Sequence, residues 1–580
     1  MTGRSTARSS AGPLKPTQAR KLHEAFAAQQ AGHLDKAERL YGEVLRQRPN
    51  EFNALHMLGL IAYRRRRFAD ALRLIGAALR SDANSADAWS NLGLAFHAQR
   101  EYAQALDSYE RALTLKPDHA DVLNNRGNAL RGLGRRDAAL ESFAKALTLR
   151  PDYVDALYNR GSTLLELGRA ADALECFEAA LAVAPRHVES ICHRGNALLL
   201  LNRVEDAVAS FALAASIAPD HALIVHNHAY ALRHAGRPRQ ALARAEAALR
   251  LNPGYGPSRF EQAVALLALG ELRRGFALYE ARWEMGEFAQ QKRDFAAPLW
   301  RGDADLAGKT VLLHAEQGFG DTLQFARYAP LVAARGAAVI LEVQPQLKTL
   351  LMRNAGAAQV IARGEPPPPF DLHCPLMSLP LAFGTALDTI PANVPYLAAD
   401  PAKIAHWAAR LATFGGKRKV GIVWAGDARH HNPNANSIDG RRSMTLRHFA
   451  PLASVADLQL ISLQKGTPAA QAKDPPPGLP LVDWTAALDD FADTAALIAN
   501  LDLVICVDTA VAHLVGGLGK PVWILSRFDC CWRWLDRRAD SPWYPTARLF
   551  YQDAPGAWDD VVARVRAELE RAPRPGTAAP

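Results

Sequence analysis

The sequence predicts an α-solenoid followed by two Rossmann-like α/β lobes, and three observations carry that prediction. Residues 18–255 repeat every 34 positions. From about Asp294 this period gives way to alternating strand and helix patterns. Within the second half, Val504–Leu525 reads as a buried strand, a helix with a small-residue face (Ala510, Ala512, Gly516) and a further strand.

Length and composition bound what these parts can do. A chain of 580 residues holds several domains, and its 49% apolar content is enough for real cores. The formal charge of +9 is modest for this length. It permits acidic ligands such as nucleotides and gives no sign of nucleic-acid binding. The six cysteines are scattered, and no CxxC spacing suggests zinc or a disulfide framework. That pattern fits a reducing cytosol, so a cytoplasmic location is expected. No apolar run approaches a membrane span, so no transmembrane segment is expected. The N-terminus has no apolar stretch of the signal-peptide kind, and residues 1–17 and 573–580 read as disordered tails.

The solenoid comes first. Gly93, Gly127, Gly161 and Gly195 mark the same slot in successive units. Tyr109, Phe143, Phe177 and Phe211 mark the aromatic slot, and Pro117, Pro151, Pro185 and Pro219 the end. The small residue lets two helices approach, the aromatic fills the gap, and proline ends the second helix. Seven full units follow without insertion: 18–51, 52–85, 86–119, 120–153, 154–187, 188–221 and 222–255. A partial unit at Leu266–Glu284 brings the array to residue 285. The pattern resembles the tetratricopeptide repeat, which stacks into a superhelix with a concave binding face. The sixth position of each unit holds Asn91, Asn125, Asn159 and Asn227, with His193 in the remaining slot. Such a ladder either hydrogen-bonds the backbone of an extended peptide acceptor or bonds neighbouring helices within the array. The array resembles that of eukaryotic O-linked N-acetylglucosamine transferase, whose concave face carries such a ladder. The basic run Arg64–Arg67 reads as a solvated turn.

The α/β half divides into lobes at 286–400 and 401–572. In the first, strands are expected at Lys309–His314, Ala338–Val343, Gln359–Ile361 and Leu372–Pro375. A glycine-bearing loop at 315–321 precedes a helix over 322–334. The segment 396–417 includes a helix and bridges the lobes. In the second, strands are expected at Val420–Trp424, Leu458–Leu463, Leu479–Val482, Val504–Val507 and Val522–Leu525, and a terminal helix Trp558–Arg571 packs back across the lobes. Two such lobes with a cleft between them form the architecture called GT-B. In the 504–525 unit Thr509 N-caps the small-residue helix. Its free N–H groups and dipole favour an anion such as phosphate, unless the unit is an ordinary crossover.

Seven stretches in the second half carry a resemblance: LLHAEQGFGDTLQFARY (312–328), VGIVWAG (420–426), RRSM (441–444), SLQKG (462–466), DDFADTAALI (489–498), VDTAVAHLVGGLGKPVW (507–523) and WRWLDRRADSPWYP (532–545). Residues 297–552 are similar to glycosyltransferase family nine, the family of the heptosyltransferases. The resemblance implies an inverting, metal-independent glycosyltransferase that takes a nucleotide-sugar donor as substrate and needs no cofactor. The repeats would recruit a protein or peptide acceptor. The alternatives are transfer to lipopolysaccharide or another surface glycan, and a repeat scaffold with a decayed transferase half.

The resemblance implies that Asp321 is the catalytic base, although it can equally N-cap its helix. Glu316 and His314 are the fallback bases. Gly318, Gly320 and Gly426 let backbone approach the donor. Arg442, Ser443 and Lys465 suit the diphosphate, or else make surface ion pairs. Asp508, Thr509, Ala510 and His513 begin the phosphate-facing helix, and Asp490 suits the ribose or shapes its loop. His430 and His431 have no carboxylate–histidine spacing to make a metal site. The aromatic run Trp532, Trp534, Trp543 and Tyr544 either stacks on a base or sugar or packs between the last strand and the terminal helix.

Overall fold

A computed structural model describes residues 14–428, 433–529 and 531–571. It divides into two compact units between Ala197 and Leu198, within the helix Val188–Leu200. Both tails expected from the sequence fall largely outside the described residues. The first helix starts at Pro16, inside the stretch expected to be a tail.

In the first unit the helices alternate as the repeat demands: Pro16–Gln30 with Leu34–Gln47, Phe52–Arg64 with Phe68–Ser81, Ala86–Ala98 with Tyr102–Leu115, Ala120–Gly132 with Arg136–Leu149, and Val154–Glu166 with Ala170–Val183. The glycine slot has a steric cause. A Cβ on Gly93 would lie 2.5 Å from the Tyr109 ring, and one on Gly127 only 2.4 Å from Phe143. The ring of the second helix occupies the space that the glycine leaves, and Tyr109 and Phe143 are fully buried there. Arg65 and Arg67 of the basic turn pair with Glu38 of the preceding unit.

The second unit opens with Val204–Ile217, Ala222–His234 and Pro238–Leu251. The stretch read as a partial repeat is a complete pair, Gly256–Ala268 with Leu272–Tyr279, closed by a tight 3-10 turn at Glu280–Glu284 instead of a proline. Two parallel sheets follow. The first contains β1 (Thr310–His314), β2 (Ala338–Val343), β3 (Gln359–Ala362) and β4 (Leu372–Pro375), in the order β3-β2-β1-β4. The second contains β5 (Arg418–Val423), β6 (Leu458–Ser462), β7 (Leu481–Asp483), β8 (Leu503–Val507), β9 (Val522–Ser526) and β10 (Ala547–Tyr551). Its order is β10-β9-β8-β5-β6-β7, the doubly wound order with a switch point between its first and fourth strands. Both faces are covered. Val504 and Cys506 of β8 point into one core, Leu503, Ile505 and Val507 into the other.

Three expectations need correction. β10 is a sixth strand that the sequence reading did not assign. The helix expected over 322–334 begins earlier, at Phe319, and breaks after Phe325, because Pro330 starts a second short helix, Ala329–Ala333. The terminal helix Trp558–Arg571 packs through Val561, Val562 and Val565 on the second sheet alone, against Leu446, Phe449 and Phe550. The aromatic run is core, as one of its two readings held, but its neighbours differ. Trp532 meets Phe276 edge-on at 5.7 Å, and Trp543 meets Phe325 at 5.7 Å. Among the described residues no helix is long and apolar enough to cross a membrane.

Candidate functional site

A cavity of about 1030 Å³ lies in the second unit, at the carboxyl ends of both sheets. The loop after β1 and the first turn of the helix that follows supply Gln317–Asp321, and Gln344 follows β2. From the second sheet come Ala425–Ala428 after β5, Gln464–Pro468 after β6, Leu488–Phe491 after β7 and Asp508–Val511 after β8. Parallel strands all release their loops at one end, which is why residues far apart in sequence meet here.

Four cationic side chains line it: Arg442, Lys465, Arg527 and Arg533. Arg442 is aimed by two contacts, Nε to Asp439 Oδ1 at 2.8 Å and Nη1 to the Asp508 carbonyl at 3.4 Å. Lys465 donates to the carbonyls of Thr485 and Leu488, both at 2.8 Å, which uses two of its three N–H donors. Arg527 Nε lies 3.0 Å from Asp529 Oδ1. Arg533 pairs with Asp321 and donates to Cys531 Sγ at 3.4 Å.

Asp321 sits in the first turn of Phe319–Phe325 rather than in the preceding loop. Its Oδ2 accepts the N–H of Gly318, the N-cap residue, at 3.1 Å, while Oδ1 faces Arg533. The carboxylate therefore does help to cap its helix, and it still lines the cavity. Gly320 is forced by His513: an added Cβ would lie 2.8 Å from His513 Cδ2. His513 has little freedom to yield. Its Nδ1 is 3.0 Å from the Tyr544 hydroxyl, and its ring stacks on Trp534 at 5.0 Å. Burial pushes its pKa down to about 4, so it meets the cavity as a neutral ring.

The helix Ala510–Gly517 begins at the cavity with Thr509 in the N-cap position, but the Thr509 side chain makes no capping bond. Its Oγ1 is buried without a hydrogen-bond partner. Asp508 and Ala510 flank it on the wall. Asp490 lines the cavity and caps the helix Phe491–Ala499 through the N–H groups of Ala492 and Asp493, at 2.7 and 3.1 Å. Gly426 donates its N–H to Ser443 Oγ at 2.9 Å, and Ser443 donates to Asp439 Oδ2 at 3.1 Å. Ser443 therefore holds the loop and does not line the cavity. A Cβ on Gly426 would lie 2.4 Å from both Arg442 and Asp439, so a side chain there would displace this pair.

The fallback bases do not line the cavity. Glu316 is buried against Arg282, Oε1 at 3.1 Å, and burial raises its pKa to about 7 against the pull of that guanidinium. His314 is buried against His373, ring nitrogens 3.2 Å apart, and burial first, then the neighbouring imidazole, lowers its pKa to about 3. His430 and His431 lie outside the described residues. Among the described residues no group of three His, Cys, Asp or Glu side chains is placed to hold a metal ion.

The amide ladder is half-buried rather than solvent-facing, and part of it is used internally. Asn91 Nδ2 lies 2.9 Å from His56 Nε2, and Asn159 Nδ2 donates to Asn124 Oδ1 at 2.9 Å. In both cases a sixth-position amide meets the fifth-position side chain of the preceding unit.

Sequence reasoning did not single out Arg527 and Arg533. Arg527 follows the carboxyl end of β9, where strand-end position was the available signal. Arg533 lies among the tryptophans of the 532–545 stretch, whose aromatic character drew the attention.

Comparison with known proteins identifies the repeats. Residues 24–71, 56–120 and 160–222 match one tetratricopeptide-repeat family model, and residues 127–168 match another. The chain is 28% identical over 313 residues to protein FlbA of Caulobacter vibrioides, half of this chain and 51% of that protein. It thus spans about half the length of this curated relative. Among solved structures it is similar to MamA, with 27% identity over 28% of this chain and 94% of that one and a TM-score of 0.27. It is also similar to PilF of Pseudomonas aeruginosa, with 25% identity over 37% of this chain and 96% of that one and a TM-score of 0.34. The first part of the chain is a helical array of tetratricopeptide repeats, and the second part consists of parallel sheets with helices.

Proposed function

We propose that this protein is an inverting glycosyltransferase of GT-B architecture that moves a sugar from a nucleotide-sugar donor to a hydroxyl of a protein or peptide acceptor recruited by the repeats. One observation carries the proposal. At the carboxyl ends of two parallel sheets, a single cavity is lined by Arg442, Lys465, Arg527 and an open helix start, and by Asp321 with its partner Arg533. Arg442, Lys465, Arg527 and the N–H groups after Thr509 suit a diphosphate, and the orphaned Thr509 hydroxyl is a further donor. Negative charge grows on the diphosphate as its bond to the anomeric carbon breaks, so fixed cations favour the transition state over the bound donor. The acceptor oxygen forms the new bond on the opposite face of the sugar. Its proton passes to Asp321, and the departing diphosphate keeps the electron pair. His513 contributes shape and hydrogen bonding as a neutral ring.

Incubation of the full chain with a panel of nucleotide sugars and native protein, read by mass spectrometry, tests the proposal. A donor-dependent mass increase on a polypeptide supports it, and donor turnover confined to glycan acceptors refutes the acceptor assignment. Metal independence is tested in the same assay: loss of transfer in a chelator, restored by a divalent ion, overturns it. The internal bonds of Asn91 and Asn159 favour the second reading, transfer to a surface glycan, because they remove two amides from a peptide-binding ladder.

A further inference from the structure

A second cavity, of about 440 Å³, adjoins the first. Ile438, Arg442, Arg527, Cys531 and Arg533 line both, so the two share a wall that includes the partner of Asp321. The far wall of the smaller chamber belongs to the last repeats. Tyr230 and Val264 occupy the ninth position of their units, Phe260 the fifth and Glu261 the sixth. They all lie on the first helices, Ala222–His234 and Gly256–Ala268. Glu261 therefore stands in the slot that holds an amide in other units. It is buried and tied to Arg233, with Nε–Oε2 at 2.6 Å and Nη2–Oε1 at 3.2 Å.

We propose that this chamber is the acceptor subsite, taking an extended polypeptide and burying one of its apolar or aromatic side chains beside the residue whose hydroxyl reaches Asp321. The proposal rests on transfer to a protein acceptor, argued above. Three features choose a polypeptide. The wall is built from the first-helix positions, the face that repeat arrays present to their partners. Phe260 of that wall, with Phe288 and Trp532, makes the chamber aromatic. Phe260 lies 5.9 Å from Phe288 and 5.4 Å from Tyr279, which in turn lies 6.0 Å from Trp532. Asp536 aside, the charged groups away from the shared wall are already matched, Arg233 with Glu261 and Asp529 with Arg527. They offer little to the many hydroxyls of an oligosaccharide, which would be buried without partners. A single apolar side chain needs none. Tyr279 also receives a hydrogen bond from Gln317 of the main cavity at 3.3 Å, a second link between the chambers.

The test uses the full chain, a library of short peptides with one central serine or threonine between randomised positions, and separate titrations with nucleoside diphosphates. Val264→Trp fills the chamber and Phe288→Ala enlarges it. The expected result is a KM for the peptide pool raised roughly tenfold or more in Val264→Trp, the loss that accompanies one displaced apolar side chain. Diphosphate affinity should be unchanged. Phe288→Ala should shift the preferred flanking residue toward larger side chains. Should Val264→Trp fail to fold, the altered flanking preference of Phe288→Ala still decides. Unchanged KM and flanking preference in folded variants that bind diphosphate would overturn the subsite, as would Val264→Trp blocking transfer to an oligosaccharide instead. A wild-type chain that neither binds a diphosphate nor hydrolyses a donor sugar would sink the transferase reading itself, a separate result.

Discussion

Asp321→Asn separates the two jobs that the structure gives this carboxylate. Oδ2 caps the helix through the Gly318 N–H, and Oδ1 pairs with Arg533. Asparagine keeps one carbonyl oxygen, so the cap survives. It removes the basicity and the charge that opposes Arg533. The pair is only partly buried, its side chains 18% and 14% exposed, so its loss should cost about 1.5–3 kcal/mol of stability, the range for a hydrogen bond to a charged group. General-base catalysis contributes about 10²–10⁴-fold, and turnover should fall by that factor. Diphosphate affinity should move the other way or hold, since the freed guanidinium no longer has a carboxylate to leave. Steady-state kinetics, calorimetric titration with a nucleoside diphosphate and denaturant unfolding measure the three quantities on one preparation. A purely structural carboxylate predicts a different set: rate, binding and stability all drop together. A turnover loss below about tenfold with intact binding would remove Asp321 as the base. The cavity wall offers neither fallback, since Glu316 and His314 are buried elsewhere.

Arg442→Ala should weaken diphosphate binding by about 1.5–3 kcal/mol, and equal calorimetric affinities would exclude Arg442 from the site. Gly320→Ala drives a methyl to 2.8 Å from a His513 ring held by Tyr544 and Trp534. It should destabilise the fold by about 1–3 kcal/mol in urea unfolding, and a neutral substitution would mean that the ring can move. The low folded pKa of His513, about 4, against about 6.5 unfolded, makes the unfolded chain bind the proton first. Stability should therefore fall as pH drops from about 6.5 to 4, by roughly 3 kcal/mol from this residue, and His513→Asn should flatten that part of the profile. Asn91→Ala with Asn159→Ala should cost about 0.5–1.5 kcal/mol per lost bond. An unchanged unfolding midpoint would return both amides to the peptide-binding ladder.

The repeat register was legible because its cause is local: in the four units from residue 86 to 221 a glycine in one helix and a ring in the next, sixteen residues on, must fit each other. The nine strands assigned from sequence were legible as apolar runs. β10 was not: Ala547–Tyr551 has an exposed arginine at its second position and follows the aromatic-rich loop closely. Site residues next to a glycine or at a helix start, such as Asp321 and Thr509, could be placed from local rules. What those rules missed was pairing. That Arg533 faces Asp321 depends on how the two lobes meet, and that Ser443 serves Gly426 and Asp439 rather than a ligand depends on how the turn after the helix Pro433–Arg442 meets the end of β5. Neither is written in the spacing of the chain.

Glu316 shows how far that distance between position and role extends. By position it is an attractive base, two residues past β1 and two before Gly318. Its carboxylate faces the other way, onto Arg282, which is fully buried and also bonds Glu280 and, at 2.7 Å, Ser378 Oγ. Arg282 belongs to the turn that ends the last repeat. The ion pair therefore fastens that repeat to the loop that leads from β1 into the helix carrying Asp321. The same join continues in apolar contacts, with Leu267, Leu272, Phe276 and Tyr279 in one core with Leu313, Phe325 and Trp532. A compositional boundary near residue 285 thus falls inside a continuous core. Removing one partner of a buried pair leaves an uncompensated charge, so this joint resists loosening. An acceptor held by the final repeat would then stand at a fixed distance from the carboxylate proposed to take its proton, as a reaction governed by orientation requires.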